Sequence, residues 1–124
     1  MSINWFNEQP KEIIVTISAT NLTINKPGIQ FFEKAHQVML GYDQQRHLIL
    51  IKPLTKDEAI RGDIPEHSRY NISISTSYAR ITNKSFIQTV LQVFNLTLDP
   101  KGTKFSSVFN NQSQLLEINL KGVI

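Results

Sequence analysis

The sequence predicts an α+β fold, a β-rich barrel or sandwich built from two fused ββαββ pseudo-repeats with two short helices. Three observations carry that prediction. First, Asn25-Lys26-Pro27-Gly28-Ile29-Gln30 returns 58 positions later as Asn83-Lys84-Ser85-Phe86-Ile87-Gln88, a shared Asn-Lys-x-x-Ile-Gln pattern. Second, its flanks recur in the same order. Ile17-Ser18 is echoed by Ile74-Ser75 at an offset of 57, and Tyr42-Asp43-Gln44-Gln45 by Phe109-Asn110-Asn111-Gln112 at an offset of 67. Third, 124 residues without a cysteine suit one domain that buries its core without disulfides. Each copy alone has too few strands for a stable sheet, so the two share a core. The expected division is a first copy over 11–53, a linker over 54–69 and a second copy over 70–120, within a single domain over 1–124.

Residues 11–18 alternate around Ile13, Val15 and Ile17, which predicts a strand with one apolar face. Asn21 is expected in a turn, and Leu22-Thr23-Ile24 forms a second short strand. Asn25 then caps a helix that tolerates Pro27 in its first turn and carries Ile29, Phe32 and Ala35 at helical spacing. Residues 36–42 and 46–53 read as a hairpin around Asp43-Gln44-Gln45. In the polar linker, Thr55-Lys56-Asp57-Glu58 has the form of a capping box and predicts one helical turn through 58–61.

The second copy runs in parallel. Residues 70–76 alternate Ile72 and Ile74 as a strand, 78–81 make the short second strand, and Asn83 caps a stronger helix through Phe94. That helix has a wide apolar face of Phe86, Ile87, Val90, Leu91, Val93 and Phe94. Asp99-Pro100-Lys101-Gly102 is a turn signal before a last hairpin over 104–109 and 114–120.

Charge separates the copies. Through Glu66 there are seven Lys or Arg against eight Asp or Glu, and from His67 onward six against two, so the net charge of +3 sits in the second half. A basic half suits an anionic partner. The N-terminus lacks a basic, apolar leader and no apolar run reaches the ~18 residues of a membrane span, so the expectation is a cytoplasmic protein with no membrane partner. On that expectation, the five Asn-x-Ser/Thr triplets starting at Asn21, Asn71, Asn83, Asn95 and Asn111 are compositional rather than glycosylation sites. His36, His47 and His67 lack metal-ligand spacing, and no nucleophile elbow, Walker sequence or Gly-rich phosphate loop occurs. No enzyme, cofactor or metal is expected.

Leu22-Thr23-Ile24-Asn25-Lys26, followed by a short helix and a hairpin, resembles the AbrB/SpoVT family of swapped-hairpin DNA-binding domains. Arg80-Ile81-Thr82-Asn83-Lys84 is similar to the same element, which makes the chain resemble the tandem members of that family. The resemblance implies interlocked copies, a DNA-binding regulator, and DNA contacts from Lys26, Arg80 and Lys84 near the strand-to-helix turns. The residues themselves add Arg69, Tyr78, Lys101 and Lys104, with Tyr70 beside them, as side chains suited to phosphates and to base stacking.

The expected nucleic-acid set is therefore Lys26, Arg69, Tyr78, Arg80, Lys84, Lys101 and Lys104, and a contiguous basic face carrying Arg80, Lys84, Lys101 and Lys104 is its structural signature. The alternatives are an RNA-binding barrel of the PUA type and a protein-interaction module. The latter would use an edge strand, which also allows homodimerisation, or Trp5, unless Trp5-Phe6 closes one end of the barrel.

Overall fold

The structure, a computed structural model, describes residues 2–6 and 12–124. Its first hairpin joins β1 (Ile13–Ile17) to β2 (Asn21–Asn25), with Val15, Ile17, Leu22 and Ile24 turned inward and fully buried. The turn lies at 18–20 rather than at Asn21. Ser18 takes both ends of it: its N–H donates to the Asn21 carbonyl (3.0 Å) and its Oγ accepts from the Asn21 N–H (3.1 Å). Asn21 is thereby the first residue of β2. Lys11, the expected start of β1, lies outside the described residues.

α1 (Lys26–Ile29) is one turn long and does not continue to Ala35. Pro27 and Gly28 are poor helix formers, Lys26 opposes the helix dipole, and no acid offsets it, so tertiary contacts hold the turn. Gly28 is required there, because a Cβ would stand 2.5 Å from the Ile24 Cγ2 and 2.9 Å from the Ile13 Cγ2. Beyond Ile29 the chain makes single turns, with Phe32 N–H to the Ile29 carbonyl (2.8 Å) and Ala35 N–H to the Phe32 carbonyl (3.0 Å). Phe32 is fully buried, and Phe31 meets Phe109 edge-on at 4.3 Å.

β3 (Gln37–Asp43) and β4 (Leu48–Leu54) form the second hairpin. Its loop is four residues, 44–47, so β4 begins two residues later than the sequence suggests. Asp43 closes the loop by accepting the Arg46 N–H (3.1 Å) and Nε (2.8 Å), and His47 takes φ 56° to re-enter the sheet.

α2 (Lys56–Ile60) carries the complete capping box: the Glu58 N–H donates to Thr55 Oγ1 (3.3 Å) and the Thr55 N–H to Glu58 Oε1 (3.0 Å). It is the helical turn that the capping box predicts, over 56–60 rather than 58–61, and adds a third helix to the two expected in the ββαββ units. A 3-10 turn (Glu66–Ser68) follows, then β5 (Ser73–Ile74), β6 (Tyr78–Thr82), α3 (Lys84–Val93), β7 (Thr103–Asn110) and β8 (Leu115–Val123). Residues 70–76 thus contain a strand of only two residues. The Ser75 hydroxyl intercepts the Tyr78 N–H (3.1 Å) and the Ser77 N–H (3.3 Å), turning the chain early, and both β5 residues are exposed.

All eight strands make one antiparallel sheet in the order β3-β4-β8-β7-β1-β2-β6-β5, curled into a half-barrel. It is neither a sandwich nor an evenly closed barrel. Between its edges β3 and β5 the structure holds one bridge, in which Val38 and Tyr70 exchange both backbone hydrogen bonds at 2.8 Å. We call this line the seam.

The concave side is filled by Ile17, Leu22, Ile24, Ile49, Ile51, Ile81, Phe105, Leu116 and Ile118, with Phe32 from the turns after α1 and Ile87 and Val90 from α3. Phe94, at the end of α3, meets Tyr42 edge-on (5.8 Å) and His47 (5.5 Å). Trp5 and Phe6 do not close the barrel: they are 82% and 87% exposed and outside the core. Among the described residues no helix is long and apolar enough to cross a membrane.

Candidate nucleic-acid interface

Strand registers place the outward side chains in rows. Lys104 pairs with Thr16, Thr16 with Thr23, Thr23 with Arg80 and Arg80 with Ser73, so these five residues cross the convex face of β7, β1, β2, β6 and β5 in one line. Arg80 and Lys104 stand three strand spacings apart, about 14 Å along the sheet. One row toward the β6 C-terminus, Asn21 pairs with Thr82 and its Oδ1 accepts the Thr82 hydroxyl at 2.6 Å. One row the other way, Asn25 pairs with Tyr78, and the Arg80 guanidinium lies 4.7 Å over the Tyr78 ring. Hydroxyls and amides with interspersed cations therefore cover this face, the side-chain chemistry that grips sugar and phosphate.

The remaining expected residues divide by position. Lys84 opens α3 two residues past Thr82, and the Asn83 N–H bonds the Thr20 carbonyl (3.0 Å), which sets Lys84 at the end of the sheet where β1 turns into β2. Lys101 precedes β7 at that same end: neighbouring Gly102 lies against Thr16 and Ile17 of β1. Arg69 approaches from the linker beside Asn71. Arg80 and Lys104 thus hold the middle row, Lys84 and Lys101 the end beside the β1–β2 turn, and Arg69 the cleft, with Glu66 and Asp99 the nearby acids. No ion pair among the described residues engages any of the five; those recorded join Arg46 to Asp43 and Glu117, and Arg61 to Asp63.

Lys26 stands at the other end of the same ladder. It follows Asn25, which pairs with Tyr78, and so lies at the opposite end of the β2–β6 ladder from Lys84, about 14 Å of strand away.

Asn25 and Asn83 also part company. Asn83 caps α3 by accepting the Phe86 N–H (2.9 Å), as its position implies. Asn25 does not cap α1: its Oδ1 accepts the Ile14 N–H (3.0 Å) and its Nδ2 donates to the Glu12 carbonyl (3.0 Å). A side chain thereby stands in for backbone and prolongs the β1–β2 ladder.

A polar cleft of about 510 Å³ opens at the seam. Gln37 of β3, Glu66, Arg69, Tyr70 and Asn71 of the segment before β5, and Ser73, Arg80 and Thr82 of β5 and β6 line it. Gln37 Nε2 donates to Asn71 Oδ1 (3.3 Å) across the gap. The Arg69 Nε is buried without a hydrogen-bond partner. Of the expected residues, the cleft unites Arg69 and Arg80. Gln37, Asn71 and Thr82 were not anticipated, because Gln37 lies on the opposite sheet edge, β3, and reaches the others only across the seam. The polar alternation of Asn21-x-Thr23-x-Asn25 and Tyr78-x-Arg80-x-Thr82 was the available signal for the face.

His36, His47 and His67 are spread apart: His36 opens β3 beside Leu54, His47 stacks on Phe94, and His67 lies in the 3-10 turn. Among the described residues no group of three His, Asp or Glu side chains is placed to hold a metal ion. Comparison with protein-family models, curated proteins and solved structures finds no match to this chain.

Proposed function

We propose that this protein is a non-enzymatic nucleic-acid-binding regulator, most simply a DNA-binding one. It presents the convex face of β7, β1, β2, β6 and β5 to the sugar-phosphate backbone. The observation that carries the reading is that five cations, none held in an ion pair among the described residues, lie along the middle row, one end and the adjoining cleft of a hydroxyl- and amide-rich sheet face. Phosphate contacts from Arg and Lys supply affinity, while Ser, Thr, Asn and Tyr set register.

We further propose that the body is a fused pair of ββαββ halves, the organisation that the AbrB/SpoVT resemblance implies. The registers support it. Shifted by 57 residues, the β1–β2 pairs Thr16↔Thr23 and Ile17↔Leu22 become the β5–β6 pairs Ser73↔Arg80 and Ile74↔Ala79. Shifted by 67, the β3–β4 pairs Leu40↔Ile51, Gly41↔Leu50, Tyr42↔Ile49 and Asp43↔Leu48 become Ser107↔Ile118, Val108↔Glu117, Phe109↔Leu116 and Asn110↔Leu115 of β7–β8. The loops agree too: His47 (φ 56°) and Gln114 (φ 58°) are 67 apart, and Asp43 and Asn110 each accept from the N–H three residues on. Thr23 and Arg80, which are 57 apart, pair at the centre of the β2–β6 ladder, where a two-fold axis relating the halves would pass.

The test is binding to duplex DNA and to single-stranded DNA and RNA across a salt series. Log affinity falls linearly with log salt, by about 0.9 per neutralised phosphate on duplex or about 0.7 on single strands. Arg80→Ala with Lys84→Ala weakens binding and lowers that slope by about two contacts' worth, whereas Lys26→Ala at the far end leaves the slope unchanged. Salt-insensitive or absent binding to every nucleic acid defeats the proposal. A second reading, a protein-interaction module, is favoured by the exposed Trp5 and Phe6. It calls for a nuclease-resistant partner that Trp5→Ala loses.

A further inference from the structure

We propose that the cleft at the seam is a binding site for a phosphate monoester carried on a hydroxylated moiety, such as a sugar phosphate or a mononucleotide. The site shares Arg80 with the face described above but needs no polymer.

The argument starts from what is unsatisfied there. Arg69 brings a charged group to the cleft with its Nε shielded from solvent and unbonded, an arrangement that desolvates a donor without compensation. Arg80 lines the same cleft from β6 and stacks on the Tyr78 face, and no ion pair or hydrogen bond among the described residues engages its in-plane N–H donors. Two arginines from different elements thus line one cleft, neither in an ion pair among the described residues, and a tetrahedral dianion seated between them would receive charge-assisted hydrogen bonds from both. Lysines would supply point charges, whereas two planar forks fix an orientation.

The rest of the lining selects what hangs on the phosphate. Gln37, Asn71, Ser73 and Thr82 are neutral hydrogen-bonding groups, suited to hydroxyls rather than to a second anion. Glu66 reinforces this. A carboxylate in the lining repels a bare polyanion yet accepts from a sugar hydroxyl, so it favours a ligand with one phosphate and a diol over a polyphosphate. A volume of about 510 Å³ lies within the range of small-molecule sites. The ligand would touch Gln37 on β3, the 69–71 arm and Arg80 on β6. Binding would therefore reinforce the tie between the two sheet edges, which the Val38–Tyr70 bridge and the Gln37–Asn71 hydrogen bond already make.

The experiment is thermal unfolding of the full chain at constant ionic strength with inorganic phosphate, ribose 5-phosphate, adenosine 5′-monophosphate or adenosine. Ribose 5-phosphate or the monophosphate at ten times its Kd raises the Tm by roughly 5 °C. Adenosine does not, and inorganic phosphate acts more weakly than either ester. R69Q and R80Q abolish the shift; K104Q, on the same face but outside the cleft, retains it, and circular dichroism confirms that the variants fold.

An oligonucleotide with a 5′-phosphate that binds more tightly than its 5′-hydroxyl twin assigns the monoester to a strand end. A mononucleotide effect without that difference assigns it to a free metabolite; both support the site. Absence of any shift from all the phosphate probes overturns it, as does a shift that survives both R69Q and R80Q. Salt-dependent oligonucleotide binding that persists while every small phosphate fails would sink this site and leave the proposed function standing. The reverse outcome would do the opposite.

Discussion

Asn25 and Asn83 are the same residue in the same motif, yet each satisfies a different part of the backbone. At Asn83 only an acceptor is used, and a carboxylate at a helix N-terminus is at least as good, so Asn83→Asp leaves stability unchanged or raises it by a few tenths of a kcal/mol. At Asn25 both ends of the amide are used. Asn25→Asp keeps the bond from Ile14 but sets a carboxylate oxygen against the Glu12 carbonyl, and costs about 1–3 kcal/mol. Urea denaturation of the two variants checks the contrast, and equal effects would contradict it. Gly28→Ala belongs at this scale as well: its Cβ meets two branched side chains, and overpacking of this kind costs about 1–3 kcal/mol.

Among the elements, α2 is held mainly by its cap. The Thr55 N–H bonds the Glu58 carboxylate and keeps its pKa below the usual value, so the charged form is the one that stabilises the fold. That contribution is full above the ordinary carboxylate pKa and is lost as the pH falls through the depressed folded-state value. Thr55→Ala costs about 1 kcal/mol at neutral pH. The wild type's margin over Glu58→Gln shrinks on acidification, which denaturation at a series of pH values would show. The two hairpin loops offer a cleaner test. Gln114 is exposed and left-handed, so Gln114→Gly stabilises by up to about 1 kcal/mol, while His47→Gly gains less because it gives up Phe94.

These elements also show what a linear reading can reach. α3, the capping box and both long hairpins were legible because periodicity, caps and turn residues agree locally. β5 and α1 were not: Ile72 and Ile74 alternate like a strand, but the Ser75 hydroxyl ends it, and Ile29, Phe32 and Ala35 have helical spacing but follow a Pro-Gly that permits only one turn. Arg69 and Arg80 were nameable as basic residues. Their shared cleft was not, because it depends on Gln37, more than thirty residues upstream of Arg69, arriving across the seam.

At the scale of the molecule the half-barrel is unevenly closed. β1 and β7 pair over five residues, whereas β3 and the arm before β5 meet in a single bridge. Amide exchange should therefore be faster at Val38 and Tyr70 than at the β1–β7 amides. Equal protection would mean that the seam is as firm as the rest.

The linker holds a further consequence. Residues 61–67 are mostly exposed and lie between two sets of strands that meet along β2–β6, β4–β8 and β1–β7. Cutting there would remove one covalent tie and leave those ladders intact, so folding would become a bimolecular event whose yield depends on the concentration of two fragments. Such a pair is a split protein in waiting: fused to two partners, the halves would regain their shared core only when those partners meet.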